Sequence, residues 1–305
     1  MKNILVVGSI NMDLVTICER APRGGETLFG KDFFQIPGGK GANQAVAIGK
    51  LEGRVTMLGK VGKDSLGTEL LKSLKDNEVN IDRIEREDIS SGIAKIIVEE
   101  NGENRILVVP GANGKVDRDY IDRNIDMIQR ADYVVAQLEI PLDTVEYLFE
   151  KAKEMEKITI LNPAPGRVLN ENIIKNSDYV IPNESELELL TGIKTDSEAN
   201  IILAGKKLLS QGVKGLIITL GSKGSMYMDK NGNYEIYSAY KVKALDTTAA
   251  GDSFIGGLVT GLSKGLQIKD AIGLGTKVAA ISVTRMGAQS SLPTLDEVLA
   301  FKGEN

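Results

Sequence analysis

The chain has 305 residues, with 37 Lys and Arg against 42 Asp and Glu, which gives a formal net charge of −5 at pH 7. It contains no His and a single Cys, which excludes Ser-His-Asp triads, Cys-His pairs, HExxH zinc sites and CxxC centres and leaves proton transfer to a carboxylate, Lys or Tyr. It has no basic block and no apolar run of the ~20 residues that span a bilayer, which argues against nucleic-acid and membrane partners and favours a cytoplasmic protein.

Short apolar, β-rich runs alternate with amphipathic helical patterns along most of the chain. The runs predict strands at 3–8, 54–58, 132–138, 158–161, 178–181 and 215–220. The helical patterns lie at 41–51, 65–77, 118–130, 142–156, 198–211, 251–262, 269–284 and 295–301. This alternation predicts an α/β fold: a doubly wound, mostly parallel sheet flanked by helices, which binds ligands at the carboxyl ends of its strands.

Two β-rich stretches interrupt the alternation, at approximately 13–37 and 91–110. The second is typical of a hairpin with its turn at Asn101-Gly102. Neither carries a helical pattern, so we expect them to build one small β-sheet that covers the ligand edge as a lid; two edge hairpins of the main sheet are the alternative. The free face and edges of such a lid favour a homodimer. Residues 1–305 are otherwise predicted to form one domain, without a linker or repeat.

The motif DTTAAGDSFIGGL, residues 246–258, predicts a helix that begins near Asp252 after a turn of small residues. Free N–H groups of Ala250, Gly251 and Asp252 at that helix N-terminus would bind an anion. A carboxylate in the same turn could act on a group beside this anion, whereas a simple N-cap is the alternative role for Asp252. The absence of His as a competing base favours catalysis.

A second motif, PGGKGANQAV at residues 37–46, combines glycines with polar side chains at a predicted helix start. The glycines let the backbone approach a ligand closely, and Lys40 and Asn43 offer donors to hydroxyls or phosphate. It is not a Walker A loop, because GxxxxGK[ST] does not occur in the chain. A plain strand-to-helix turn is the alternative interpretation.

Polar side chains also follow the predicted strands. Asn11 and Asp13, in GSINMD, lie on one side of an extended segment, and an amide with a carboxylate suits the diol of a sugar. This segment lacks GxGxxG, which counts against a dinucleotide site. Glu139 follows another strand, where a solvated loop acid is the alternative.

Three further segments could meet a nucleotide or a cation. Asn183 and Glu186, in PNESE, lie one helical turn apart and share a face. The run TLGSKG, residues 219–224, ends a strand with a glycine turn that could hold phosphates. The polar loop 282–291 could supply carbonyl and hydroxyl ligands to a hard monovalent cation. Ordinary turn and loop chemistry is the alternative for each.

In this order the motifs resemble the ribokinase/PfkB family of carbohydrate kinases. DTTAAGDSFIGGL is similar to the C-terminal family signature and GGKGANQAVAIGKLEGRVTMLGKVGKD to the N-terminal one, and GSINMD, QLEIPL, LNPAP, PNESE, TLGSKG and TRMGAQSS extend the resemblance over nearly the whole chain. It implies a ribokinase-like fold and ATP-dependent phosphorylation of the 5-hydroxyl of D-ribose. The alternatives are a PfkB kinase for deoxyribose, a ketose or a nucleoside, and a non-catalytic ribose sensor on the same fold.

The resemblance also implies roles for individual residues. It makes Asp252 the general base, within an anion hole built from Ala249, Ala250, Gly251 and the Asp252 backbone. It places ribose against Asn11, Asp13, Gly39, Lys40, Gly41, Asn43, Glu139 and Asp252. It places ATP against Asn183, Thr219, Leu220, Gly221, Ser222, Lys223, Gly224, Gly251, Asp252 and Thr276. It implies Mg²⁺ organised through water by Glu186, and an activating K⁺ near Asp246, Thr248, Ser282, Arg285, Gly287 and Ser291.

Overall fold

The structure is a computed structural model and describes residues 1–303. Its strands are β1 (Asn3–Val7), β2 (Asn11–Cys18), β3 (Asp32–Gly38), β4 (Arg54–Leu58), β5 (Lys60–Gly62), β6 (Glu85–Glu87), β7 (Gly92–Glu99), β8 (Asn104–Val109), β9 (Tyr133–Ala136), β10 (Ile158–Leu161), β11 (Tyr179–Val180), β12 (Gly215–Thr219), β13 (Ser225–Asp229) and β14 (Tyr234–Tyr237). Its α-helices are α1 (Lys40–Lys50), α2 (Ser65–Asp76), α3 (Arg118–Arg123), α4 (Ile125–Arg130), α5 (Leu142–Glu154), α6 (Glu171–Lys175), α7 (Glu184–Thr191), α8 (Glu198–Leu209), α9 (Ala250–Ser263), α10 (Ile268–Ser282) and α11 (Leu295–Ala300). Within this range no helix combines the length and the apolar character needed to cross a membrane.

The main sheet has eight strands in the order β14-β13-β12-β11-β10-β9-β1-β4. The six strands from β12 to β4 run parallel, whereas β13 and β14 continue the sheet antiparallel at one edge. The turn between β13 and β14 contains Asn231 and Gly232, which is a hairpin signal. The predicted doubly wound, mostly parallel sheet is therefore confirmed.

Both faces of the main sheet are buried. In β1, Leu5 and Val7 pack into one apolar cluster, which also contains Phe149 of α5. Ile4 and Val6 point the other way and pack into a second cluster with side chains of α1, α2 and α9. Alternation between two cores explains why β1 is apolar at every interior position, as expected for a parallel strand covered on both sides.

The second sheet has four strands in the order β3-β2-β7-β8. Its two halves come from the two β-rich insertions, so the predicted small sheet is confirmed in place of two edge hairpins. The halves are joined by a parallel pairing of β2 with β7, in which Asn11 lies opposite Gly92 and Cys18 opposite Glu99. The single-domain organisation and the action of this sheet as a lid remain predictions.

Local structure departs from prediction at several elements. The helix predicted at 118–130 is two helices, α3 and α4, because the Asn124 side chain donates to the Tyr120 carbonyl at 2.9 Å and competes with the helical backbone. The predicted strand at 178–181 shortens to the two residues of β11. The pair β5-β6 and the helices α6 and α7 were not predicted, since all four are short.

Candidate active site

The carboxyl ends of β1, β9, β10, β11 and β12 meet at one edge of the main sheet, where α1 and α9 begin. Two cavities of about 600 and 200 Å³ open there, and they share the lining residues Asn183, Thr219, Thr247, Ala250 and Gly251. A larger concavity of about 720 Å³ lies at the opposite edge, beside the amino ends of β1 and β4. None of the predicted site residues lines this concavity, so we place the candidate active site at the first edge.

Asp252 is the most deeply placed carboxylate of this edge, with 5% of its surface exposed. It lies in the first turn of α9 and lines the smaller cavity. Asn43 donates from Nδ2 to Asp252 Oδ2 at 3.0 Å, and Gln44 donates from Nε2 to Oδ1 at 3.0 Å. Each carboxylate oxygen thus has one amide donor and keeps lone-pair capacity toward the cavity.

Backbone N–H groups flank this carboxylate. Ala249 takes a left-handed conformation with φ 60°, which turns the chain into α9. The Ala250 N–H donates to the Thr247 carbonyl at 3.2 Å. The N–H groups of Gly251 and Asp252 have no acceptor among residues 1–303. Of the three N–H groups expected to be free, those of Gly251 and Asp252 are therefore available to bind an anion at this helix N-terminus.

Lys40 supplies the positive charge of the site. Its side chain is half-buried at the start of α1, lines the smaller cavity and forms no salt bridge within the described residues. Burial acts to lower the pKa of Lys40, yet the pKa is raised overall because four carboxylates face the ammonium. In order of effect they belong to Asp252, Glu139, Glu186 and Asp13. The ammonium is therefore held charged and available to an anionic group.

Asn11 and Asp13 lie in β2, where Asn11 is opposite Gly38 and Asp13 is opposite Ile36 of β3. A Cβ at Gly39 would lie 2.7 Å from the Asn11 backbone nitrogen, and a Cβ at Gly38 would lie 2.5 Å from Asp13 Oδ2, so a larger residue would displace the backbone or the Asp13 carboxylate. Gly39 also has φ +88°, which other residues rarely adopt. The glycines thus allow the sheet and the start of α1 to meet around these two polar side chains.

The electrostatic surroundings of Asp13 are unfavourable to its charge. Burial is the largest cause, and the negative charges of Glu139 and Asp252 add to it, which raises the pKa of Asp13 to about 7 despite the opposing effect of Lys40. The Asp13 side chain has no hydrogen-bond partner within residues 1–303. A carboxylate in this state gains from a ligand that donates hydroxyl protons to it.

This shift predicts a pH-dependent effect of Asp13→Asn on stability. Between the ordinary pKa of 3.8 and about 7 the folded protein binds more protons at Asp13 than the unfolded chain does, so the unfolding free energy contributed by Asp13 rises as pH falls. We expect Asp13→Asn to raise the free energy of unfolding at pH 8, by on the order of 1 kcal/mol, and to change it little at pH 4. Urea unfolding of the ligand-free protein at both pH values measures this. Asp32→Asn, an exposed change in β3, is the control; equal effects of Asp13→Asn at both pH values would contradict the prediction.

The Glu139 carboxylate connects the loop after β1 with the start of α1. Its Oε2 accepts from the Ser9 hydroxyl at 2.5 Å and from the Lys40 backbone N–H at 3.1 Å. It therefore places a negative charge at the N-terminus of α1, which Gly39 cannot cap with a side chain. Its second oxygen remains available to a ligand.

The larger of the two cavities at this edge, of about 600 Å³, has a polar rim on one side. Asn183 and Glu186 form a capping box at α7, with Glu186 Oε2 accepting from the Asn183 N–H at 2.9 Å. Burial raises the pKa of Glu186, and the Asn183 backbone hydrogen bond and the charge of Lys40 only partly offset this. A short 3₁₀ turn, Gly221–Lys223, follows β12, and the N–H groups of Gly221 and Ser222 have no acceptor within the described residues.

The other walls of this cavity are mainly apolar and come from α9, α10 and the segment before α9. Thr276 lies in the wall, but its hydroxyl is bonded to the Ile272 carbonyl at 2.9 Å. Leu220 and Lys223 belong to the same turn as Gly221, and the Lys223 side chain points to solvent, 4.0 Å from Glu184. The cavity suits a flat apolar group with phosphates directed toward the glycine turn.

The predicted cation loop packs behind the start of α9. Asp246 accepts from the N–H groups of Thr248 and Gly287, both at 2.8 Å, and these bonds lower its pKa although burial alone would raise it. The buried hydroxyls of Ser282 and Ser291 lie 2.8 Å apart. The Arg285 side chain turns away to a salt bridge with Glu297 at 2.7 Å, so only its backbone remains available here.

Several residues at this edge were not predicted. Gln44, Gln137 and Asn162 form a buried amide network that contacts Asp252. Asn113 accepts from the Ile10 N–H at 2.9 Å and donates to Asn11 Oδ1 at 2.7 Å, which fixes the start of β2. The motifs GANQAV, QLEIPL and LNPAP contain Gln44, Gln137 and Asn162, but no local pattern distinguishes their amides from surface ones.

Comparisons with known proteins identify the family and the fold. The sequence profile described as "pfkB family carbohydrate kinase" matches residues 1–295. A ribokinase of Schizosaccharomyces pombe is 45% identical over 98% of this chain and 97% of its own length. A deoxyribokinase of Salmonella typhimurium is 37% identical over 97% of both chains. The structure of Arabidopsis thaliana ribokinase complexed with ribose and ATP superposes with a TM-score of 0.92 and 29% identity over 99% of both chains.

Proposed function

The chain belongs to the pfkB family of carbohydrate kinases, and on this premise we propose that it is a ribokinase, which transfers the γ-phosphoryl group of ATP to the 5-hydroxyl of D-ribose and releases D-ribose 5-phosphate and ADP. The carrying observation is the buried Asp252 carboxylate in the wall of the smaller cavity, beside the free N–H groups of Gly251 and Asp252, with Gly251 lining both cavities. The full-length similarity to ribokinases supports the substrate.

The sugar site is the polar group around the start of α1. Asn11, Asp13, Lys40, Asn43 and the free oxygen of Glu139 offer both donors and acceptors, as a polyol requires. Asn43 Oδ1 is buried without a hydrogen-bond partner, so a bound hydroxyl would satisfy it. Gly39 and Gly41 let the start of α1 approach the backbone of residues 8–11 beside this proposed sugar site.

The nucleotide site is the larger cavity. Its apolar walls take the base, while the turn at Gly221 and the side-chain amide of Asn183 take the phosphates. Because the two cavities share Ala250 and Gly251, the terminal phosphate reaches the start of α9 beside Asp252. This arrangement brings donor and acceptor together without a covalent enzyme intermediate.

The chemistry needs positioning and charge stabilisation more than a strong base. Asp252 accepts the proton of the 5-hydroxyl as the new O–P bond forms and the bond to ADP breaks. The Gly251 and Asp252 N–H groups and the Lys40 ammonium stabilise the negative charge on the transferring group. Closure of the second sheet over the site would exclude water, which competes as acceptor.

Mg²⁺ fits the site as a partner of the nucleotide. Glu186 has one oxygen free of the capping box and lines the smaller cavity. Residues 1–303 hold no cluster of three or more His, Cys, Asp or Glu side chains that could bind a metal alone, so ATP phosphates and waters would complete the coordination. Mg²⁺ supplies charge neutralisation to the phosphates; Glu186 orients it through water.

K⁺ fits the loop behind the anion hole, where Asp246 is ionised and the Ser282 and Ser291 hydroxyls and nearby carbonyls are oxygen donors. We expect kcat to fall at least about fivefold when Na⁺ replaces K⁺ at constant ionic strength, because the loop shapes the start of α9. Steady-state rates at saturating ATP and ribose measure this. Asp246→Asn should lose the K⁺ preference; equal wild-type rates in both salts would remove this site from the proposal.

A homodimer through the second sheet is proposed for a separate reason. Every residue of its edge strand β8 is exposed, although four are apolar, and Leu107 is 66% exposed. Bare apolar edge strands are normally covered. We expect Leu107→Asp to convert a dimer to monomers in sedimentation velocity, whereas Leu203→Asp, at a leucine of α8 that is 56% exposed, should not. A monomeric wild-type protein would contradict the dimer.

A panel of candidate substrates tests the proposed function. ATP is the phosphoryl donor throughout, as in the cytoplasm, where we propose that the protein works. The wild-type protein should phosphorylate D-ribose faster than 2-deoxyribose, fructose or adenosine. Deoxyribose is the sharpest comparison, because a deoxyribokinase is among the relatives. Faster turnover of a competitor would change the substrate, and ribose binding without turnover of any sugar would support a sensor.

A further inference from the structure

We infer that Gln44 is a positioning residue that fixes the orientation of the Asp252 carboxylate, and that Gln137 fixes the orientation of Gln44 in turn. This inference deepens the proposed function and rests on Asp252 being its general base. Neither glutamine lines the cavities, so both would act through residues that do, of which Gln44 contacts Asp252 and Asn162.

Gln44 connects the catalytic carboxylate to the main sheet. It is fully buried in the first turn of α1, and its Nε2 lies 3.0 Å from Asp252 Oδ1 and 3.1 Å from Asn162 Oδ1. Asn162, directly after β10, donates to the Ile181 carbonyl at 3.2 Å, which sets its own amide. The Gln44 NH₂ group thus donates one hydrogen to Asp252 of α9 and the other to Asn162 after β10.

The direction of the Gln44 amide is set from its other side. Gln137 is fully buried directly after β9, and its Nε2 donates to Gln44 Oε1 at 2.6 Å. Reversing the Gln44 amide would place its oxygen against the carboxylate and against Asn162 Oδ1, and would face its NH₂ toward the Gln137 donor. Only one orientation satisfies the group, and it presents a donor to Asp252.

This arrangement has an energetic cost. With Nε2 committed to Gln44, the Gln137 Oε1 atom is buried and has no hydrogen-bond partner within residues 1–303. Buried acceptors without a partner are unfavourable and rare in native proteins, so this oxygen calls for an explanation. The same oxygen fills the space next to Gly8, where a Cβ would lie 2.0 Å from it. A side chain at position 8, directly after β1, would therefore collide with Gln137 in this orientation.

Together with Asn43, the network controls both carboxylate oxygens from one helix. Asn43 and Gln44 are consecutive in α1 and hold Oδ2 and Oδ1 respectively. Rotation of the carboxylate would break both bonds at once. A base held in this way keeps its remaining lone pairs aimed at the cavity, where the acceptor hydroxyl binds.

Gln44→Met removes the donor but keeps the length and the unbranched shape of the side chain. We expect kcat for ribose to fall about 10- to 100-fold, with KM for ribose and the calorimetric affinity for ribose unchanged within about threefold. Gln44→Glu should be worse than Gln44→Met, because it sets a second carboxylate against Asp252. A role in packing alone predicts the opposite order, since Glu is the closer match to Gln in size and polarity.

A double variant tests the order of action. If Gln137 works through Gln44, Gln137→Met should lower kcat by less than Gln44→Met, and the combined variant should match Gln44→Met within about twofold. Independent roles would multiply the two losses. Gln137→Met also keeps the test available if changes at position 44 prevent folding.

Asn124→Leu is the matched control, because Asn124 is a buried amide with one side-chain hydrogen bond, remote from the site. It should lower the thermal midpoint and leave kcat of the folded enzyme unchanged. A wild-type protein that does not phosphorylate ribose refutes the proposed function. If the wild type is active and Asp252→Asn is not, then a Gln44→Met enzyme with wild-type kcat, or with a raised ribose KM alone, overturns this inference.

Discussion

Asp252→Asn is expected to lower kcat for ribose phosphorylation about 1,000-fold or more, within the range attributed to general-base groups. The change keeps the size of the side chain, and one of the two amide donors, Asn43 or Gln44, can still bond the single amide oxygen, because the two bond different carboxylate oxygens of Asp252. What it removes is the group that accepts the 5-hydroxyl proton. Ribose and ATP affinities should therefore stay within about threefold of wild type, since only one of the groups around each ligand has changed.

ADP release in a coupled assay measures kcat, and isothermal titration calorimetry measures both affinities. Asp270→Asn is the matched control, because Asp270 also occupies the first turn of a helix, α10, but faces no cavity. It should retain full activity. A wild-type kcat in Asp252→Asn would refute the base assignment, and a lost affinity for ribose would make Asp252 chiefly a binding residue.

Lys40→Met is expected to lower kcat/KM about 100-fold or more, comparable to the loss of one donor from an oxyanion site. The four carboxylates that face the ammonium would remain without a counter-charge, and the incoming phosphates would meet net negative potential. The loss should therefore combine the effect of one absent donor with the repulsion between these carboxylates and the phosphates. It should also appear in the affinity for ATP, which Asp252→Asn leaves unchanged.

Initial rates over a grid of ATP and ribose concentrations separate these effects. Lys264→Met serves as control, because Lys264 follows α9 at the end remote from the site and only donates to the Leu51 carbonyl at 3.0 Å. It should keep wild-type kinetics. Wild-type kcat/KM in Lys40→Met would show that the helix N-terminus alone stabilises the phosphoryl group.

The parts of the site that were predictable are those encoded locally. The turn before α9 consists of small residues followed at once by an aspartate, and the structure builds a helix N-terminus there. Likewise, alternation of β and α patterns is a short-range property, and the main sheet follows it. The two β-rich insertions could be predicted because neither has apolar residues at helical spacing.

The parts that were not predictable depend on contacts between distant residues. Asn43 and Gln44 lie 209 and 208 positions from Asp252, and no sequence pattern links them. Glu139 was expected at the ligand edge, but its bond to the start of α1 spans 99 positions and became evident only in the structure. The Ala250 N–H, expected to be free, is bonded within its own turn, a detail of backbone geometry that composition does not encode.

The most direct test of the central claim is the identity of the product formed from D-ribose and ATP, read by ³¹P and ¹H NMR with wild-type and Asp252→Asn protein. The account predicts D-ribose 5-phosphate and ADP in equal amounts from the wild type and neither from the variant. Phosphate on another hydroxyl, release of inorganic phosphate without sugar phosphate, or ribose 5-phosphate from the variant at the wild-type rate would contradict it.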